Sequence, residues 1–250
     1  EVIQWVAAQD WCDGKVGMMG TSWGGTSSLQ MASLRPDSLK AIIAVCATDN
    51  RFDDDIHHMG GHLLTDTLEW GATLPAILAA PPDPETVGPN WGQIWRQRLD
   101  HCEFPLENWI RHETRDAYWR NGSACETPAA ISCPMLLIGG WVDRYSNTVM
   151  NLLSRSESPC WGIVGPWGHH YPDVGIPGPS MNFQAEALRW WDRWLCHITD
   201  KGPPGQVLKV LPDPSEHSMW WWTRAPDDFP DEFLGVQWWH RSIMLKDCMC

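Results

Sequence analysis

The chain has 250 residues, of which 43% are hydrophobic and 20% charged, enough for one large domain or two small ones around a sizeable core. Its formal net charge of −13 repels phosphate backbones and argues against a nucleic-acid partner, leaving neutral or cationic small molecules such as esters and peptides. No apolar run is long enough to span a bilayer as a helix, so no membrane partner is expected.

Residues 1–10 carry Val2, Ile3, Val6 and Ala7 at helical spacing and predict an amphipathic helix already under way at Glu1. The chain therefore reads as a fragment that lacks the first part of its core, and nothing bears on a signal peptide. Asp13-Gly14 marks a turn, Lys15–Met19 a short apolar strand, Gly20–Gly25 a tight glycine turn and Thr26–Leu34 a helix ending before Pro36. Lys40–Ala47 is rich enough in Ile, Val and Ala to be a strand buried on both faces. Strand, helix and strand at this spacing make a βαβ unit and imply a parallel sheet.

From 51 to about 128 the character changes: β-branched runs give way to Trp, His, Asp and Pro. Trp91–Asp100 and Leu106–Arg120 have helical periodicity and Pro81-Pro82-Asp83-Pro84 reads as a loop, so this stretch is expected to be a helical insertion between two strands. The α/β rhythm then resumes with a strand at Pro134–Ile138, a helix at Asn147–Leu153, a strand at Trp161–Val164 and an amphipathic helix at Asn182–Ile198. Lys201–Gly205 reads as a linker, and Val207–Leu211 as a strand opening a separate, incomplete β module. The expected division is 1–50 and 129–200 for the core, 51–128 for the insertion and 206–250 for the β module.

One motif carries chemistry. Gly20-Thr21-Ser22-Trp23-Gly24 is the chain's single G-x-S-x-G and sits between an apolar strand and a helix, as a nucleophile elbow requires. Such a turn exposes the Ser22 hydroxyl above the sheet, and the backbone N–H of Trp23 becomes an oxyanion donor. A nucleophilic serine needs a base, and the base an orienting carboxylate, in the order Ser, Asp, His past later strand ends. Asp143 follows the strand at Pro134–Ile138 in Gly139-Gly140-Trp141-Val142-Asp143, and His169 follows the next strand in Gly165-Pro166-Trp167-Gly168-His169-His170. Ser22 as nucleophile, His169 as base and Asp143 as its orienter are thus the candidate triad, and no cofactor or metal is expected.

Together with Asp53-Asp54-Asp55-Ile56-His57-His58-Met59-Gly60-Gly61, Arg115-Asp116-Ala117-Tyr118-Trp119 and Ala187-Leu188-Arg189-Trp190-Trp191-Asp192, these blocks resemble the CocE/NonD hydrolases of the Xaa-Pro dipeptidyl-peptidase-like (S15) group over roughly residues 1–215. The resemblance implies an α/β-hydrolase core with a helical cap inserted between elbow and Asp, a C-terminal jelly-roll, and the same three catalytic roles. It also implies a second oxyanion donor, a Tyr hydroxyl upstream of the elbow and outside this chain. Members cleave Xaa-Pro peptides, aryl esters or α-amino acid esters. The last subtype uses carboxylates just after the triad Asp, where this chain has Tyr145 and Ser146.

Nineteen Trp suggest an aromatic-walled pocket beside a Trp-rich core, with Trp70, Trp91, Trp95, Trp141 and Trp167 as candidate walls. Nine scattered Cys without a CxxC read as free thiols in a reducing compartment, so a cytoplasmic location is expected. Two rival readings stand beside the serine hydrolase. One is a metal-dependent hydrolase built on the cluster Asp53, Asp54, Asp55, His57, His58 and His62. The other is a catalytically dead binding module on the same fold. A homo-oligomer is compatible with either.

Overall fold

A computed structural model describes residues 1–198 together with the backbone of 206–210 and 220–224. The expected linker at Lys201–Gly205 and the tail beyond 224 lie outside the described residues. The described chain gathers into two compact units, Glu1–Ala47 with Thr127–Cys250, and Thr48–Glu126.

The first unit is a sheet with helices packed on it. After a short helix α1 (Val2–Ala7), strand β1 (Val16–Thr21) runs through the Ser22 turn into helix α2 (Trp23–Ser33), which leads to β2 (Leu39–Val45). β1 and β2 pair in parallel, with Thr21 opposite Val45 at their carboxyl ends. A two-stranded antiparallel ribbon, β3 (His58–Met59) and β4 (His62–Leu63), belongs to the second unit, as do α3 (Asp66–Leu78), α4 (Pro84–Val87), α5 (Trp91–Asp100), α6 (Pro105–Arg111) and α7 (Ala117–Arg120). The sheet resumes with β5 (Met135–Gly140), α8 (Ser146–Arg155), β6 (Cys160–Gly165) and α9 (Phe183–Trp194). Two further strands are β7 (Gln206–Val210) and β8 (Trp220–Arg224).

The strand order is β1-β2-β5-β6-β7-β8; every neighbouring pair is parallel except β7 and β8. All catalytic candidates therefore follow strands that point the same way. The aliphatic runs explain the burial. Ala41, Ile42, Ile43 and Val45 of β2 and Leu136, Leu137 and Ile138 of β5 are all at most 1% exposed, as expected for parallel strands covered on both faces. Alternate residues Ala41, Ile43, Val45, Leu136, Ile138 and Ile163 share one cluster with Phe183, Ala187 and Trp190 of α9. The other face takes α8, since a Cβ on Gly139 would lie 3.1 Å from Val149.

Three sequence expectations change. Val207–Leu211 was expected to open a separate β module; its described part, Val207–Val210, instead lies in β7 of the main sheet, parallel to β6 with Ile163 opposite Lys209. The physical reason is the crossover: β6, α9 and β7 form one more βαβ unit. The single helix expected at Leu106–Arg120 is two, because Asp116 accepts the Tyr118 N–H at 2.9 Å and caps a fresh helix start. α3 is a helix the sequence analysis does not name; it holds Gly71 and an interior Pro75, residues that ordinarily weaken a helix. Gly71 is needed there: a Cβ would come within 2.7 Å of Leu106 on α6. Among the described residues no helix is long and apolar enough to cross a membrane.

Candidate active site

At the end of β1 the chain turns sharply into α2. Ser22 adopts φ 56° and ψ −124°, a backbone conformation that a non-glycine residue holds only under constraint. The constraint is local. The Ser22 N–H donates to Val45 O at 2.8 Å, anchoring the turn to β2, and the Ser22 carbonyl accepts the Thr26 N–H at 2.9 Å, opening α2. A Cβ on Gly20 would stand 2.5 Å from the Gly24 carbonyl carbon, and one on Gly25 2.7 Å from Ala47 Cβ. Gly24, by contrast, has open space around it. The close approaches thus fall on the first glycine of the motif and on the one just after it. Trp23 is the first residue of α2, so its N–H lies in the helix's unpaired first turn; its side chain is 66% exposed.

Two loops past the next parallel strands build the rest. The Trp141 N–H donates to Gly165 O at 2.9 Å and the Val142 N–H to Trp167 O at 3.2 Å, so the loops after β5 and β6 are laced together. The glycines make this contact: a Cβ on Gly140 would lie 1.9 Å from Trp167 O, and one on Gly165 2.2 Å from the Trp167 ring. The lacing brings Asp143 and His169 together, with His169 Nδ1 3.2 Å from Asp143 Oδ1. Asp143 is buried, with a side chain 3% exposed, whereas the His169 side chain is 44% exposed. The adjacent His170 is exposed, and its backbone, not its ring, faces inward.

Sequence reasoning passed over Cys46. It follows β2, is fully buried and has φ 48°. Its thiol donates towards His170 O at 3.6 Å and Gly168 O at 3.9 Å. The backbone on both sides of His169 therefore reaches across β5 to the end of β2, whose Val45 receives the Ser22 N–H. The Ser22 N–H and the carbonyls flanking His169 are thus bonded to neighbouring residues, Val45 and Cys46, at the end of β2. Burial, then the negative charge of Asp143, pushes the Cys46 thiol far above its ordinary range and keeps it protonated. Nothing in the residue order marks Cys46, because only the folded sheet brings it beside positions about a hundred residues away. Tyr145 packs on His169, with its ring centroid 5.3 Å from that of the imidazole.

The remaining candidates scatter. Trp167 is 0% exposed and is a core residue, its ring seated on Gly165 rather than lining a pocket. Trp141 sits at the loop crossing just described. Trp70, Trp91 and Trp95 belong to the inserted unit, where Trp91 and Trp95 stack at 6.2 Å and the Trp95 Nε1–H donates to Ala79 O. Among the described residues, no three of Asp53, Asp54, Asp55, His57, His58 and His62 bring ligand atoms within 4.8 Å of one another. His57 and His58 face aromatic rings instead: His57 lies 4.6 Å from Trp109 and 4.5 Å from Trp119, and His58 stacks on Phe52 at 4.1 Å.

The family profile described as X-Pro dipeptidyl-peptidase (S15 family) matches residues 1–171. A cocaine esterase of Rhodococcus sp. (strain MB1 Bresler) is 25% identical over 194 residues, covering 68% of this chain and 33% of its own length. A CocE/NonD family hydrolase from Staphylococcus aureus superposes with a TM-score of 0.63 at 18% identity, over 92% of this chain and 38% of its own. An aminopeptidase from a marine-sediment Thaumarchaeota archaeon superposes with a TM-score of 0.60 at 15% identity, over 91% of this chain and 42% of its own. The chain thus spans about a third of the curated relative and shares the α/β-hydrolase fold of both structures.

Proposed function

Because the chain belongs to the X-Pro dipeptidyl-peptidase (S15) family, we propose that it carries the catalytic triad of a serine hydrolase that cleaves an ester or amide through an acyl-enzyme. The observation that carries this reading is the buried Asp143 carboxylate hydrogen-bonded to His169 Nδ1, in a sheet whose first strand ends in the strained Ser22 turn. Asp143 selects the tautomer with the proton on Nδ1, which leaves the lone pair on Nε2 free to act as base. Ser22 Oγ gives its proton to Nε2 and attacks the acyl carbonyl. The oxyanion gathers against the Trp23 N–H and the positive end of α2. Collapse expels the alcohol or amine, which takes the proton from the imidazolium, and a water molecule repeats the cycle to free the acid and Ser22.

An ester is the favoured substrate, since the curated relative is an esterase. The net charge of −13 favours a neutral or cationic small molecule over nucleic acid. Labelling with a fluorophosphonate tests the reading. Modification of the chain, abolished in Ser22→Ala, is the expected result; labelling that survives the substitution, or fails in both proteins, overturns it. A panel of an aryl ester, an Ala-Pro anilide and an amino acid ester, assayed on the same protein, then ranks the substrate classes, with the aryl ester expected first.

A further inference from the structure

The Asp–His pair has a third neighbour that acyl transfer does not use. One potential ligand atom each of Cys46, Asp143 and His169 lie within 4.8 Å of one another. Asp143 Oδ2 is buried without a hydrogen-bond partner, in a side chain 97% covered. The Cys46 thiol hydrogen-bonds the Asp143 carboxylate, but a thiol is a weak donor, and a buried carboxylate oxygen without a stronger partner favours a cation.

We propose that Cys46, Asp143 and His169 form a binding site for a thiophilic divalent cation such as Zn2+, and that its occupancy switches the triad off. The donor set of thiolate, carboxylate and imidazole suits zinc, with water as the fourth ligand. Two anionic ligands and one neutral one cancel the charge of the ion, which a buried site demands. In tetrahedral zinc sites, ligand atoms stand roughly 3.5 Å apart, given Zn–S near 2.3 Å and Zn–N near 2.0 Å. Closing the cluster from its present spread of up to 4.8 Å needs a contraction of about 1.3 Å at most. The exposed edge of His169 supplies the entry path.

The chemistry of the switch is explicit. On binding, the Cys46 thiol releases its proton to solvent. The His169 ring stays neutral and changes tautomer: its single N–H proton passes through solvent from Nδ1 to Nε2, and the metal takes the Nδ1 lone pair. An imidazole in that state has no lone pair for the Ser22 proton. Asp143, bound to the metal, no longer orients the ring.

Cobalt(II) is the probe for binding. The chelator-stripped chain, titrated with Co2+, is expected to develop a thiolate-to-metal charge-transfer band in the near ultraviolet, with visible bands of a four-coordinate ion. The band is expected to be lost in Cys46→Ala and in the shape-preserving Cys46→Ser, and kept in Cys133→Ala, which removes another buried thiol. The occupancy effect is read separately and rests on the serine-hydrolase reading. Saturating Zn2+ is expected to slow fluorophosphonate labelling of Ser22 by about a hundredfold or more, the worth of a general base. EDTA restores it, and Cys46→Ser, compared with its own metal-free rate, is spared. A cobalt band absent from the unsubstituted chain, or intact in both Cys46 variants, overturns the site. A band that behaves as expected with labelling unaffected by Zn2+ overturns the switch alone. A chain that never labels overturns the hydrolase reading, while the cobalt titration still decides the site.

Discussion

The sheet unit is held by runs of aliphatic residues, whereas the inserted unit Thr48–Glu126 is held by a few large rings. In β2 and β5 neighbours along the strand are buried together, and the register of one strand on the next is set by parallel pairing. In the insertion, Trp119 at 0% exposure and Trp109 at 8% are packed by His57, His58, Phe52 and Tyr118. Arg51 closes this cluster: its guanidinium lies 5.2 Å over the Tyr118 ring and donates to the carbonyls of Tyr118 and Asn121. Ser123 Oγ accepts the Arg51 N–H and donates to Trp119 O. The sheet spreads its stability over many interchangeable methyl groups. The insertion concentrates it in polar-edged rings whose partners are specific. The difference places the candidate chemistry on the first unit and sensitivity to single residues and to acid in the second.

The largest expected effects test whether the chemistry belongs to the sheet unit. His169→Ala and Asp143→Asn are each expected to slow fluorophosphonate labelling and ester turnover about a thousandfold or more, and the double variant little further, because the groups act as one device. His170→Ala, whose ring takes no part in the Asp143 pairing, is expected to keep its rate; equal losses at 169 and 170 would move the base.

Next comes the insertion's dependence on one ring. Trp119→Ala is expected to cost about 3–5 kcal/mol, the range for deleting a fully buried large aromatic. Hydrogen exchange should show the loss as faster exchange in 48–126 while the amides of β2 and β5 stay protected. Uniform loss over both units would erase the contrast drawn above.

The subtler expectation concerns pH. Burial first, then the charges of Arg51 and His58, hold His57 neutral and lower its pKa from 6.5 to about 3. The unfolded chain takes up this proton near the ordinary value and the folded chain only near the lowered one. Between the two the unfolded state binds more protons, so stability is full above about pH 6.5 and drains away as the pH falls towards about 3. His57→Phe is expected to flatten that slope, measured by denaturant midpoints across the window. Some slope should remain, since His58 is also lowered by burial. An unchanged slope would mean that His57 is not the insertion's acid-sensitive group.

How much of this was legible beforehand follows the same division. Local signals sufficed for the strand-turn-helix at Ser22, for the βαβ rhythm and for Asp143 and His169 as loop residues past strand ends, because glycine turns and aliphatic runs encode their structure within a few neighbours. The same local logic failed at α3, where Pro75 is tolerated inside a helix, and at β7, whose pairing with β6 is a long-range choice. It also suggested Trp167 as a pocket wall, though the ring is locked against Gly165 in the core.

The residue order by itself determined the hydrolase framework and the sequence of its candidate roles, since each element there is specified by its own period and its own breakers. Only the tertiary structure decided that His169 rather than His170 faces Asp143, that Gly140 and Gly165 are bare to seat Trp167, and that Cys46 lies under the pair. The reason is distance along the chain: Cys46 meets the His169 loop across 122 and 124 residues, and no local pattern records a contact made only when three parallel strands, β2, β5 and β6, stand side by side.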